Sequence, residues 1–397
     1  MDNGKPSTII SGDDGFFAGV AAIIEQARAY VGRTADLTMC VTYFEIGRMI
    51  VEEEQGGKKR AEYGRGLIRE LAEYLTERYG KGFSTRNLKN FRKFYLTYAP
   101  SISQSMITKL GKGSAEQKGQ SLVALFSPPQ KGQALTDIFR VSWTHYLILM
   151  RIKNDQERRF YEIEAANQQW TVRQLQRQYH SSLYERLALS RDKTEVMRLA
   201  SEGQTIEKPS DVLKSPFVLE FLGMEENAAY SESDLESAII TKLQTFLLEL
   251  GKGFLFEARQ KRFTYDEDSF WVDLVFYNRL LQCYVLIDLK TEKLKHQDLG
   301  QMQMYVNYFD RYVKKDYEKP TVGILLCKKK NDSVVELTLP EDSNIYASDY
   351  SLYLPDKGLL QQKLAEWIEE FESTHRDNHT GDLSHPRHFE LYLFLFC

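Results

Sequence analysis

Apolar residues recur at helical spacing through the first half of the chain and at strand spacing through part of the second. Phe17, Val20, Ile23, Ile24 and Ala27, continued by Tyr43, Ile46 and Ile50, predict amphipathic helix across residues 16–54. Leu67, Leu71 and Leu75 share one face of a helix predicted over 66–79, which Gly80-Lys81-Gly82 breaks. Ser84 then reads as the N-cap of a helix that turns Leu88, Phe91, Phe94 and Tyr95 inward. Helix, glycine turn and capped basic helix outline a helix-turn-helix. Residues 101–135 change character. They are rich in Ser, Gly, Gln and Lys, carry Pro128-Pro129, and predict a mobile linker or extended insertion. Helical spacing returns from Ser142 to about Leu199, through Trp143, Tyr146, Leu147, Met150, Trp170, Leu175 and Tyr179.

Pro209 and Pro216 mark the passage to the second half, and the pattern changes again after Ser231. A helix over 233–250 carries Asp234 and Glu236 in its first turn and buries Leu235, Ile239, Leu243, Phe246 and Leu250. Strands follow at 254–263, 270–277 and 282–289, then a helix at 298–314, a buried strand at 321–327 and a closing helix at 359–371. Helix, three strands, helix and strand make an α/β core with a mixed sheet. The whole is an α+β two-domain chain. An all-helical domain covers 1–199, a connector 200–230, the sheet domain 231–372 and a tail 373–397.

Composition narrows the class. At 397 residues, 42% hydrophobic and 27% charged, the chain fits two ordinary globular domains. No run of about 18 apolar residues suggests a membrane span, and the polar start lacks a signal-peptide pattern, so a cytoplasmic protein is expected. Cys40, Cys283, Cys327 and Cys397 are too scattered for a zinc ribbon or an iron–sulfur cluster and read as structural thiols. The net charge of −4 hides an uneven distribution. Lysines and arginines crowd the segment from Lys58 to Lys93, where only Glu62, Glu70, Glu73 and Glu77 oppose them.

Two acids interrupt apolar strands: Asp273 in Phe270-Trp271-Val272-Asp273-Leu274-Val275-Phe276, and Asp288 in Val285-Leu286-Ile287-Asp288-Leu289-Lys290. Carboxylates there are costly unless paired or bound to a metal. Strand alternation puts Asp288 and Lys290 on one face. A turn centred near Leu280-Leu281 would set Asp273 opposite Asp288, with β-carbons roughly 5 Å apart. Oxygen-only ligands favour Mg²⁺ or Mn²⁺, and an ion there can polarise a phosphodiester and activate water. Lys290 would hold that water or stabilise the charged transition state. The same residues also fit a metal-free ion pair of either acid with Lys290 or Arg279. Asp-x-Lys alone occurs widely by chance.

Asp273, then Asp288-Leu289-Lys290, then a helix with Gly300-Gln301, resembles the PD-(D/E)XK nuclease motif. Ile287-Asp288-Leu289-Lys290 and Gly300-Gln301-Met302 resemble the bacterial YhcG-like nucleases more closely. So do Lys214-Ser215-Pro216-Phe217-Val218-Leu219-Glu220-Phe221-Leu222, Trp143-Thr144-His145-Tyr146 and Tyr79-Gly80-Lys81-Gly82-Phe83-Ser84. The resemblance runs from about residue 40 to 370. It implies a restriction-endonuclease-like core and Mg²⁺-dependent hydrolysis of DNA leaving 5′-phosphate ends, with Mn²⁺ able to substitute and no small-molecule cofactor. Asp273 and Asp288 become the metal ligands, helped by the Leu289 carbonyl, with Lys290 the catalytic lysine. Glu236 assists metal or water binding, though Asp234 or Glu232 could fill its place. Gln301 orients Lys290 or contacts a phosphate. Val272 stands where the motif has proline, a departure this superfamily tolerates. A homodimer and a defence, mobile-element or genome-maintenance setting are implied only by analogy.

Arg86, Lys89, Arg92 and Lys93 fall on the outward side of the capped helix and are expected to contact DNA phosphates. A solvated basic face would look the same. Glu257 and Arg259 read more readily as strand-edge charges than as site residues, and His379, His385 and His388 as part of a solvated tail. Two other functions remain open at this point: a silent nuclease fold that binds DNA or a partner, and a nuclease directed at RNA. Retention of Asp273, Asp288 and Lys290 favours an enzyme over a silent fold.

Overall fold

The computed structural model describes residues 35–54, 61–110, 139–191, 193–225, 229–340 and 342–366. Expectations for 16–34, for 111–135, for the end of the closing helix and for the tail, with its histidines and Cys397, lie outside the described residues. The chain forms two compact units, Met1–Leu175 and Gln176–Cys397.

The first unit is built from helices α1 (35–54), α2 (Ala61–Tyr79), α3 (Thr85–Leu110), α4 (Trp143–Leu149) and α5 (Asp155–Asn167). Ile50, Ile68, Ala72, Leu88 and Phe91 bury one shared core. Gly47 lets α1 meet α3 closely, since a Cβ there would stand 2.1 Å from the Phe91 carbonyl oxygen. The Tyr43 ring stacks on Phe91 at 4.1 Å. Phe94 sits among Phe139, Trp143 and Tyr146, at ring distances of 5.0, 5.2 and 4.9 Å. Between α2 and α3 the chain turns at Gly80, whose φ of 89° suits glycine. The Ser84 hydroxyl accepts from the Asn87 backbone N–H at 3.4 Å, capping α3 as expected. That helix outruns its sequence expectation. It passes Pro100 and ends at Leu110, so the first ten residues of the expected linker are helical. An interior proline removes one backbone donor and crowds the preceding turn, so α3 runs through Pro100 against a cost of about 3 kcal/mol.

The second unit begins within α6 (Val172–His180) and continues through α7 (Leu183–Leu189) and α8 (Lys193–Glu202). Residues 176–199, grouped with the helical half on periodicity, thus pack within the second unit. A short strand β1 (Phe217–Val218), helices α9 (Glu232–Thr241) and α10 (Leu243–Leu250), and strands β2 (Phe254–Tyr265), β3 (Asp268–Asn278) and β4 (Cys283–Lys293) follow. Then come α11 (His296–Tyr308), β5 (Val322–Lys329), α12 (Asp332–Thr338), β6 (Ile345–Ser351) and α13 (357–366). The sheet order is β1-β6-β5-β4-β3-β2, antiparallel among β2, β3 and β4 and parallel from β4 to β1. It is mixed, as the element order implied.

Both faces of the central strands are covered, which explains their continuous apolar runs. Leu235, Ile239, Phe246 and Leu250 pack with Leu274, Ile287, Leu289 and Ile324 on one face. Leu299, Met302 and Tyr305 of α11 pack with Val275, Leu286 and Leu325 on the other. The helix expected over 233–250 is two helices, broken at Lys242, where φ −111° and ψ 28° leave the helical region. The thiols of Cys40, Cys283 and Cys327 are free and buried, and burial pushes each up to about 12.

A buried ionic network ties α6 and α7 to the sheet. Glu249 of α10 is fully buried and accepts from Arg186 at 2.5 Å, from Arg177 at 3.3 Å and from the Val218 backbone N–H at 3.0 Å. Arg186 also donates to the Pro216 carbonyl at 2.9 Å, and Lys214 Nζ to the Glu249 carbonyl. The Lys214–Leu222 segment therefore wraps this network. Burial alone would raise the Glu249 pKa, but Arg186, Lys214 and Arg177 outweigh it and hold the carboxyl at about 2. A depressed pKa stabilises the fold above the ordinary value of 4.5, and that contribution is lost as pH falls toward 2. Removing the acid would strand Arg186 in the core. Glu249→Ala is expected to cost about 3–5 kcal/mol in urea unfolding at pH 7; a loss below about 1 kcal/mol would contradict this role.

Candidate active site

The hairpin register decides what faces what. β3 and β4 pair from Asn278 with Cys283 out to Leu274 with Ile287. One position further, the same register sets Asp273 against Asp288, as a turn centred between Leu280 and Leu281 requires. Asp288 shares its strand parity with Leu286 and Lys290, while Leu289 packs into the core on the opposite face. The backbone N–H of Leu289 donates to Asp273 Oδ2 at 2.9 Å, so the middle residue of Asp-Leu-Lys clamps the other acid.

Asp288 is only 3% exposed. Lys290 Nζ lies 2.8 Å from Asp288 Oδ2 and 3.5 Å from Glu232 Oε2. The ammonium approaches Asp288 at ion-pair distance but outside hydrogen-bonding geometry, so Oδ2 has no hydrogen-bond donor. Burial, then the Asp273 charge, raises the Asp288 pKa to about 7 against the pull of Lys290. Burial works against the Lys290 ammonium, but Asp288 and then Glu232 hold its pKa above the ordinary lysine value. Lys290 is therefore a fixed cation at neutral pH.

The acids of α9 divide their tasks. Asp234 caps the helix, accepting from the Ser231 backbone N–H at 2.9 Å while Ser231 Oγ accepts from the Asp234 N–H at 3.1 Å. Glu232 reaches Lys290. Glu236, 2% exposed, accepts from Arg259 and, at 2.6 Å, from the Gln260 amide. That same amide nitrogen donates to Asp273 Oδ1 at 3.0 Å. Gln260 has φ 46°, a left-handed conformation costing a non-glycine residue about 1–3 kcal/mol.

Glu232, Glu236, Asp273 and Lys290 line a cleft of about 710 Å³, together with Arg259, Gln260, Lys293 and Lys295. Gln301 is exposed on α11, and its amide donates to the Tyr305 hydroxyl; Lys290 is held instead by Asp288 and Glu232. Tyr305 feels the charges of both aspartates, and burial is the largest cause that raises its pKa. In the first unit, Arg86, Lys89 and Lys93 are exposed on α3, whereas Arg92 donates to Glu54 at 2.7 Å.

Among the described residues, no group of three or more His, Cys, Asp or Glu side chains gathers to hold a metal. Two carboxylates and a backbone carbonyl are still a fitting set for Mg²⁺, which keeps several waters and binds few protein oxygens. The unsatisfied Asp288 oxygen beside Asp273 is where a hard cation would relieve repulsion.

The mixed sheet flanked by helices on both faces, with its Asp and Asp-x-Lys on adjacent strands, is the PD-(D/E)XK restriction-endonuclease-like class. Residues 210–365 match the family described as the YhcG PDDEXK nuclease domain, and residues 19–186 the DUF1016 N-terminal domain. The chain is 38% identical over 364 residues to "Putative nuclease YhcG" of Escherichia coli K12, covering 90% of this chain and 95% of that one. The chain belongs to the YhcG nuclease family. Among solved structures it is similar to a repair endonuclease from Pyrococcus abyssi, at 18% identity and TM-score 0.22 over 33% of this chain and 50% of that one. It is also similar to EndoMS in complex with double-stranded DNA, at 17% identity and TM-score 0.23 over 34% and 49%. Likeness at this level carries no further statement about this chain.

Sequence reasoning missed Gln260 and Glu232's contact with Lys290, and it undervalued Arg259. The one available signal was the polar run Arg259-Gln260-Lys261 on β2, which puts polar side chains on both faces of a strand and so reads simply as an edge strand. The raised Asp288 pKa gives a test of the paired acids. Stability is intact below the unfolded value of 3.8 and is lost as pH rises to about 7. In EDTA, Asp288→Asn is expected to raise the melting temperature, with a larger gain at pH 8 than at pH 5. An equal gain at both pH values would mean Asp288 does not carry the strain.

Proposed function

We propose that this protein is a divalent-metal-dependent endonuclease that hydrolyses DNA phosphodiester bonds through Asp273, Asp288 and Lys290, leaving 5′-phosphate ends. The observation that carries the reading is the pair of opposed aspartates on adjacent strands, one with an unsatisfied buried oxygen, beside a lysine held cationic. Asp273, Asp288 and the Leu289 carbonyl would hold Mg²⁺, or Mn²⁺ in its place. Such an ion, when bound, lowers the pKa of water and polarises the phosphodiester.

The chain's own groups supply the rest. Lys290 stays an ammonium through neutral pH, so it stabilises charge on the phosphoryl oxygens and does not act as a base. Glu232 helps hold Lys290, at 3.5 Å from its ammonium. Glu236 anchors the site through Gln260, and Gln301 offers its amide to a phosphate. Arg86, Lys89 and Lys93 on α3 supply phosphate contacts in the manner of a helix-turn-helix, and Arg92 orients the helix through Glu54. A membrane partner is not expected: among the described residues no helix is long and apolar enough to cross a bilayer. A cytoplasmic setting and a homodimer belong to the same reading.

Supercoiled, linear and branched DNA, with RNA alongside, incubated with Mg²⁺, Mn²⁺ or EDTA tests the proposal. Cutting of DNA is expected only with metal. Asp288→Ala should abolish it, and Lys290→Ala should lower kcat by roughly 10²–10³-fold. Absence of cutting with DNA binding intact would favour a silent binding protein, and preferential loss of RNA would redirect the substrate. For the helical unit, reversing Arg86, Lys89 and Lys93 to Glu should weaken DNA binding uniformly across sequences. The salt slope of log K should also flatten by about 3 at most, if each cation neutralises one phosphate. Unchanged affinity and slope would remove α3 from the interface.

A further inference from the structure

Gln260 sits inside β2, between the pairs Arg259–Leu274 and Lys261–Val272, and so stands opposite Asp273. Its backbone is left-handed, with φ 46°, a region in which glycine and asparagine settle more readily than glutamine. A residue held in an unfavourable conformation at a site is a pointer to what its side chain does there. The Gln260 amide nitrogen lies 2.6 Å from Glu236 Oε2 and 3.0 Å from Asp273 Oδ1. A side-chain amide nitrogen has two protons to give. One neutral group thus spans the gap between an acid of α9 and an acid of β3.

The chemistry of that link is specific. A lysine at this place would be a competing cation beside Asp273, and a carboxylate would repel both acids. The amide binds both without altering the charge of the site. Glu236 is itself fixed, because Arg259 holds its other oxygen and it is 2% exposed. The Leu289 N–H holds Asp273 Oδ2 from the β4 side. Each oxygen of Asp273 therefore has one protein donor, and Gln260 supplies the one that comes from β2.

We propose that Gln260 is a positioning residue, whose amide links Asp273 to the anchored Glu236 and so presets the Asp273 carboxylate for a divalent cation shared with Asp288. This role rests on the nuclease reading above. It assigns Glu236 an action on Asp273 through the amide, and it accounts for a left-handed glutamine within a strand.

Gln260→Gly separates the backbone from the amide, because glycine suits the left-handed conformation while removing both hydrogen bonds. Mn²⁺ titration followed by electron paramagnetic resonance, beside thermal unfolding, would be run on the full chain as wild type, Gln260→Gly, Gln260→Ala and Asp288→Asn. The expected result is that Gln260→Gly melts no lower than wild type yet binds Mn²⁺ about 10–100-fold more weakly. Its kcat for DNA should fall with KM little changed. Wild-type Mn²⁺ affinity in Gln260→Gly, with the wild type cutting DNA, would overturn this role and leave the nuclease reading standing. A lower melting temperature in both Gln260 variants, in step with weaker binding, would also overturn it, since the role would then be structural. Wild-type protein that neither binds Mn²⁺ nor cuts would overturn the nuclease reading and this role together.

Discussion

The register of the β3–β4 hairpin is the constraint on which the site depends. Side chains alternate along a strand, so a slip of one residue would carry Asp288 and Lys290 to the opposite face and bring Leu289 to the cleft. The hairpin resists that slip from both sides. Leu274, Ile287 and Leu289 are buried against α9 and α10, and Val275 and Leu286 against α11. Burying an aliphatic side chain contributes about 1.5–3 kcal/mol, and a slip would expose several at once. That packing offsets the cost of setting Asp288 beside Asp273 away from water. The Leu289 N–H then locks the two strands at the acids themselves.

Scaffold and site use charge in opposite ways. Glu249 is buried with three cations around it and with the Val218 backbone N–H, so its charge is satisfied and its pKa is depressed. Asp288 is buried with one cation at ion-pair distance and a second acid nearby, so its charge is not satisfied and its pKa is raised. The first arrangement fixes α6 and α7 to the edge of the sheet. The second leaves an electrostatic demand that a cation from solution can meet. Both networks involve motifs by which the chain resembles its family. Lys214-Ser215-Pro216-Phe217-Val218 belongs to the scaffold, and Asp288-Leu289-Lys290 to the site.

What was legible in the sequence follows from what physics writes there. β2, β3, β4 and β5 were readable because apolar runs end at turn residues, and the opposed acids because ionised groups are out of place in such runs. The Ser84 cap and the mixed sheet were readable for similar reasons. β6 was not, because Ser348 and Asp349 interrupt it and its place depends on a parallel partner distant in the chain. β1 is two residues long and leaves no period. Glu249 lies beside the apolar stripe of α10, where an acid reads as solvent-facing; its partners Arg177 and Arg186 come from 72 and 63 positions earlier. Gln260 was hidden for a different reason. A left-handed backbone inside a strand is set by tertiary packing, and no residue type announces it.

The central claim is that Asp273 and Asp288 share a divalent cation. A crystal of the metal-free protein soaked in Mn²⁺, with data collected at the manganese edge, tests it most directly. The expected result is an anomalous peak roughly 2.0–2.3 Å from a carboxylate oxygen of each aspartate, with Lys290 swung off Asp288. Lys290 still seated on Asp288, with no anomalous peak beside either acid, would contradict it and leave a structural ion pair in place of a metal centre.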